Sequence, residues 1–380
     1  MAEILILAYY FEPYPGVGAK RASYWAKHLR EYRSDHRITV VTATAPGSVP
    51  SDDSYEVVYV PDSRDGLLSR FFKSDRGASW SADLRRYFHR HRKKYDFAIF
   101  TGGPFMHFGV ASLVKRRTSA RIIFDYRDPM SLNPRTIRIG LTAILKMHVL
   151  RLVEILFNAR ADAFISVNPW CLDLVVGRSK KPSICIDNGY DETELQSLGS
   201  SPLIPNFDGI TLAYAGKFSP DRDPRPLMEV LAGDVHLKNR YRFIHLGEPY
   251  APLSKYHEYP WFLSLGPQDY RTALAILNNC DFLCIFTAGH PFESTTKIFD
   301  YIGLGKPIIV FSAIAGGSMG AIPSIIEKYG RGCFVPNDTD SIKTTLRESL
   351  TPLQSGETLD KEQFSRKHGL ELLTNFLDSF

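Results

Sequence analysis

Short apolar runs alternate with helix-period segments along the whole chain. In the first half, residues 4–8, 38–42, 56–60, 97–101, 121–126, 163–167 and 183–186 read as strands, with helices in the gaps, notably at 19–32 and 142–158. The pattern breaks at 196–209, where Gly199, Ser200, Ser201, Pro202, Pro205 and Gly209 accumulate without periodicity. It then restarts with strands at 211–214, 241–246, 262–265, 281–286, 307–311 and 332–335. Strand and helix alternating in this way predict an α/β chain of doubly wound parallel sheets. The expected organisation is a domain over 1–195, a linker at 196–209, a second domain over 210–358 and a helical segment at 359–380.

The most apolar stretch, 137–157, is interrupted by Arg138, Lys146, His148, Arg151 and Glu154, so a buried or interfacial helix is predicted there and not a membrane span. A length of 380 residues exceeds one ordinary hydrophobic core, which agrees with two domains. The apolar share of 44% and charged share of 23% exclude a disordered or fibrous chain. Met1-Ala2-Glu3 leads straight into an apolar strand with neither a basic leader nor a cleavage site, so a cytoplasmic protein is expected. Cys171, Cys185, Cys280, Cys284 and Cys333 are scattered, as reduced thiols are, and no tetrad of metal ligands forms around them.

Charge is concentrated at 64–94, where ten Lys/Arg stand against three acids for a local +7, while the whole chain is only +5. This stretch reads as a solvated helix face or as a surface for an anionic partner, membrane headgroups or a phosphate-bearing acceptor. No nucleic-acid module surrounds it, and none is expected to bind.

Candidate chemistry follows the strands. Gly16 and Gly18, after the first strand and before a helix, aim backbone amides at one spot. A dinucleotide fingerprint needs a third glycine where Arg21 stands, and a Walker A loop is excluded because Pro307 follows Gly305-Lys306. In the second half, the strand at 211–214 runs into Gly216-Lys217-Phe218-Ser219-Pro220-Asp221-Arg222. Lys217 and Arg222 there suit the two charges of a diphosphate at the ligand-binding end of a parallel sheet. Taken alone, the glycine turn is equally a structural turn and the cation pair equally surface charge. Farther on, Ser294 or Thr295 can cap a helix stopping at Gly303 or Gly305. Its start offers free amides, positive dipole, Thr296 and Lys297, with Asp300 one turn inside and Glu293 near the same face.

These motifs resemble the GT-B glycosyltransferases of family 4, retaining enzymes that use nucleotide-diphosphate sugars. Gly16 and Gly18 match that family's glycine-rich loop, and Lys217 with Arg222 matches its cation pair with the types exchanged. Glu293 stands one residue late against the family's first glutamate, Asp300 at the place of the second, which contacts the nucleotide ribose. Thr296-Lys297-Ile298-Phe299-Asp300-Tyr301 is similar to the Ser-Lys and Phe-Glu-Tyr turn of one branch. Asn188-Gly189-Tyr190-Asp191 matches the turn at the last strand of the first domain. Arg127-Asp128-Pro129 resembles an acidic loop of some members, and His107 lies near a histidine of theirs.

The resemblance implies a GT-B architecture of two Rossmann-like domains facing a central cleft, the first for the acceptor and the second for the donor. It implies transfer of a sugar, with retention; a glycan or lipid-linked acceptor in cell-surface polysaccharide assembly is expected from the basic stretch at 64–94 and the apolar helix near 137–157. Gly16, Gly18, Gly216, Lys217, Arg222, Glu293, Thr296, Lys297 and Asp300 would hold the donor, and His107 and Asp128 the acceptor. Lys217, Arg222 and Asp128 would carry catalysis, with the leaving phosphate taking the acceptor's proton and neither cofactor nor metal required. A nucleotide-sugar 2-epimerase and a non-catalytic sugar-nucleotide-binding protein are the alternatives. The stretch 64–94 is expected to rest on the inner face of the membrane.

Overall fold

The computed structural model describes residues 2–32, 34–45, 55–64, 75–133, 141–177, 179–199, 204–313, 319–348, 350 and 360–380, with only the backbone of 141–143. Arg70 and Lys73 of the basic stretch, Arg138, and parts of the predicted linker (200–203) and second domain (351–358) lie outside the described residues. The chain folds as two compact units, Met1–Asp187 with Leu370–Phe380, and Asn188–Gly369.

Unit 1 is built on β1 (Glu3–Ala8), β2 (Arg37–Thr42), β3 (Tyr55–Tyr59), β4 (Phe97–Thr101), β5 (Arg121–Tyr126), β6 (Ala163–Ser166) and β7 (Ser183–Cys185). All pair in parallel, in the order β3-β2-β1-β4-β5-β6-β7. Its helices are α1 (Val17–Tyr32), α2 (Gly77–Arg90), α3 (Ala111–Thr118), α4 (Leu141–Asn158) and α5 (Pro169–Val176). Central strands are buried along nearly their whole length, because crossover helices cover both faces of a parallel sheet. Right-handed crossovers put α2 to α5 on one face. On the other, α1 contributes Ala22, Trp25 and Leu29 to a core completed by Leu370, Leu373 and Leu377 from the chain's last helix.

Unit 2 opens with α6 (Glu192–Gln196) and then runs β8 (Ile210–Ala215), α7 (Arg225–Gly233), α8 (Val235–Arg240), β9 (Tyr241–Leu246), β10 (Phe262–Ser264), α9 (Tyr270–Asn278), β11 (Phe282–Thr287), α10 (Thr296–Gly303), β12 (Ile308–Ser312), α11 (Ala321–Tyr329), β13 (Gly332–Pro336) and α12 (Thr339–Arg347). The strand order is β10-β9-β8-β11-β12-β13, again parallel. Strand order therefore reverses at β1/β4 in unit 1 and at β8/β11 in unit 2. At such a switch point the two neighbouring crossovers leave in opposite directions and open a crevice outside the strands' carboxyl ends. The last helix, α13 (Arg366–Asp378), begins in unit 2 and ends in unit 1.

Candidate functional site

The unit 2 switch point is built by the loops that leave β8 and β11. Arg222, in the first loop, donates from Nη2 to Oε1 of Glu293 in the second, and Thr287 Oγ1 at the end of β11 donates to Glu293 Oε2 at 2.6 Å. Glu293 is only 5% exposed. Burial alone would lower the Arg222 pKa, but the hydrogen bond and charge of Glu293 outweigh it and hold the guanidinium more firmly protonated. Arg222 Nε is buried with no hydrogen-bond partner among the described residues, as is Ser294 Oγ. A buried donor left unpaired costs free energy until an acceptor arrives.

Two further cations stand by this loop. Lys217 is exposed, and its ammonium has no hydrogen bond or ion pair among the described residues. Lys297, in the first turn of α10, holds Nζ 5.4 Å above the Tyr214 ring. Gly216 lets that ammonium close in, since a Cβ there would fall 2.7 Å from Lys297 Nζ, and its φ of +148 disfavours any other residue. His245 Nε2 lies 2.9 Å from Gly216 O, and burial pushes the imidazole pKa down, so the neutral ring donates this bond and steadies the loop. Thr295 occupies the N-cap of α10 but makes no side-chain capping bond. The predicted cap is thus not formed, so the Thr295 side chain satisfies none of the amides at that end.

Asp300 Oδ1 accepts from Tyr270 Oη on α9 at 2.7 Å. Burial, followed by the Asp300 charge, raises the Tyr270 pKa, so this phenol stays protonated as the donor. Asp221 and Asp223, which flank Arg222 like a metal-binding pair, are held by Ser219 and Arg225, both at 2.5 Å.

In unit 1, Gly16 and Gly18 follow β1 beside the stacked rings of Tyr10 and Tyr14, whose centroids are 4.4 Å apart. Arg127, from the loop after β5, donates to Gly18 O at 3.0 Å and to Gly102 O at 2.8 Å, tying together the loops after β1, β4 and β5. Asp128 beside it is exposed. Arg21, which replaces the third glycine of a dinucleotide loop, reaches Asp125 through Nε and Nη2, both at 3.1 Å, and donates from Nη1 to Ile186 O and Asp187 O.

His107 does not reach a surface at all. It is 0% exposed, packed among Trp80, Phe100 and Phe108, so it offers nothing to an acceptor. Burial lowers its pKa from about 6.5 to about 3. Between those values the unfolded chain binds the proton and the folded chain does not, so stability falls as pH drops from about 6.5 towards 3. His107→Phe is expected to remove up to about one factor of ten per pH unit from that acid sensitivity. Urea midpoints at pH 7 and pH 5 check it, and equal acid loss in both proteins would disprove it.

No protein-family model matches the chain, and no curated protein matches it in sequence. Solved structures do match over its full length. The sucrose-phosphate synthase of Thermosynechococcus elongatus superposes with a TM-score of 0.73 at 12% identity, over 100% of this chain and 99% of that one. A trehalose-6-phosphate structure from E. coli, bound with UDP-2-fluoro glucose, gives 0.64 at 10% identity over 100% and 99%. The UDP-GlcNAc 2-epimerase of Methanocaldococcus jannaschii gives 0.60 at 10% identity over 100% of both chains. This is the GT-B fold.

Within the GT-B fold, the structure brings together Arg222 and Glu293 and places Gly216, Lys217 and Lys297 around the same loop. Glu293 precedes the N-cap Thr295, as the sequence reading has it, and Asp300 lies one turn inside the helix. The helix begins only at Thr296, and Glu293 sits in the preceding loop with both oxygens engaged. The motif reading missed Thr287, His245 and Tyr270, and in unit 1 the roles of Arg127 and Arg21. Thr287 and Arg127 were findable as polar residues at the ends of apolar strands. Arg21 carried no local signal, because its partner Asp125 lies 104 residues away.

Proposed function

We propose that the chain is a GT-B glycosyltransferase that takes a sugar from a nucleotide-diphosphate donor, with retention, to a glycan or lipid-linked acceptor in cell-surface polysaccharide assembly. The observation that carries this reading is the unit 2 switch point, where Arg222 keeps a buried, unpaired Nε beside Lys217, Lys297 and the uncapped start of α10. Departure of the nucleoside diphosphate is the difficult step of such a transfer, and cations poised where that charge grows lower its barrier. The leaving phosphate oxygen takes the acceptor's proton, so no carboxylate base is needed at this site. Asp300 faces the ribose, and Asp128 orients the acceptor. The UDP-2-fluoro glucose carried by the E. coli neighbour supports a UDP-sugar as donor.

The neighbours also include UDP-GlcNAc 2-epimerases, which favours a second reading on the same donor site. Thermal shift against UDP, GDP, ADP, CMP and their sugars tests the donor, since a ligand of the native state at about 100 times its Kd adds about 2.7 kcal/mol of stability. Product analysis with donor alone separates the readings. A transferase gives at most slow hydrolysis, whereas conversion to the 2-epimer without acceptor identifies an epimerase. No stabilisation by any nucleoside diphosphate overturns both.

A further inference from the structure

Helix α4 carries six large apolar residues, Ile144, Leu145, Val149, Leu152, Ile155 and Leu156, with exposures from 45% to 66%. Their spacing follows the helical period, so they form one continuous stripe, ~18 Å long at 1.5 Å of rise per residue. The opposite side of the helix is firmly seated. Phe157 packs on Gly109, Glu154 accepts from Met130 N at 3.2 Å, and Asn158 Nδ2 donates to Val175 O at 2.9 Å. The stripe is therefore displayed by a packed helix. Apolar surface so concentrated on one exposed face marks an interaction site.

Charge identifies the partner. Among the described side chains of α4, the other exposed ones are Lys146 and His148, and the helix's single acid, Glu154, is buried. Exposed Arg160 follows the helix. We infer that this stripe docks on an anionic lipid bilayer, with α4 lying in the interfacial plane, its apolar residues among the acyl chains and its cations at the headgroups. No helix among the described residues is long and apolar enough to cross a membrane. A second copy on the same face would oppose cation to cation. The inference is independent of the reaction proposed above.

Vesicle flotation tests it with the full chain. Wild type is expected to float with phosphatidylcholine vesicles containing phosphatidylglycerol and more weakly with phosphatidylcholine alone. Leu145→Glu with Leu152→Glu should cost about 100-fold or more in partitioning, from two large apolar side chains removed. Lys146→Glu should cost about tenfold. The variants alter exposed residues and should melt as wild type does. Leu152→Trp, a variant that keeps the stripe apolar, should shift its emission to the blue when the mixed vesicles are added. The inference is overturned if wild type stays in the aqueous fraction, if the double variant floats as well as wild type, or if the Trp emission does not move. It is equally overturned if sedimentation velocity finds a wild-type dimer that the double variant dissociates while neither binds vesicles, which would assign the stripe to a second copy.

Discussion

Lys217→Ala is expected to lower donor-dependent turnover by about 10²–10³-fold, the loss seen when one well-placed donor to a developing oxyanion is removed. The same change should leave the thermal midpoint where it is. Lys217 is exposed and its ammonium bonds nothing among the described residues, so folding gains nothing from it. Separating a large kinetic effect from a null structural one makes this substitution the most direct probe of the donor site. Steady-state rates with the nucleotide-sugar identified by thermal shift, together with melting curves, measure both quantities. Full activity in the variant would remove Lys217 from the mechanism and with it the main support for a diphosphate grip.

Arg222→Ala should show the opposite balance, with stability lost along with activity. Removing the guanidinium takes its cationic partner from the Glu293 carboxylate, which is buried and also accepts from Thr287. Breaking a buried ion pair by deleting one partner costs about 3–5 kcal/mol. Arg222 keeps 20% of its side chain exposed, so the low end, about 3 kcal/mol, is expected. Removing both charges as Arg222→Met with Glu293→Met should restore much of the lost stability, since no uncompensated charge remains, yet should not restore turnover. Urea unfolding of the single and double variants measures the coupling. An Arg222→Ala protein with an unchanged urea midpoint would show that the pair contributes nothing to the fold of unit 2.

The apolar runs made the strands legible. Residues 97–101, 121–126 and 241–246 are strands from the first residue to the last, and the remaining strands differ from expectation by a residue or so at their ends. A parallel strand buried on both faces must be apolar along its length, so its signal is local and strong. The positions of Lys217 and Arg222 beyond a strand's carboxyl end were legible for the same reason. The role of Glu293 was not, because its partners Arg222 and Thr287 lie 71 and 6 residues away along the chain and meet it only through the path of the loops.

What the sequence by itself determined about this protein is thus its layered α/β character, its strands, and the loops in which chemistry is to be sought. Only the tertiary structure decided which side chains meet. Glu293 and Arg222 are 71 residues apart, and the reversal of strand order at β8/β11 is what brings their loops together. The apolar face of α13 was readable as helical, but that Leu370, Leu373 and Leu377 complete the core of unit 1 depends on where the chain's path leads it. The stripe on α4 is the same lesson in reverse. A helix apolar nearly all round signals burial in sequence, and only packing shows which of its faces is covered and which is left exposed.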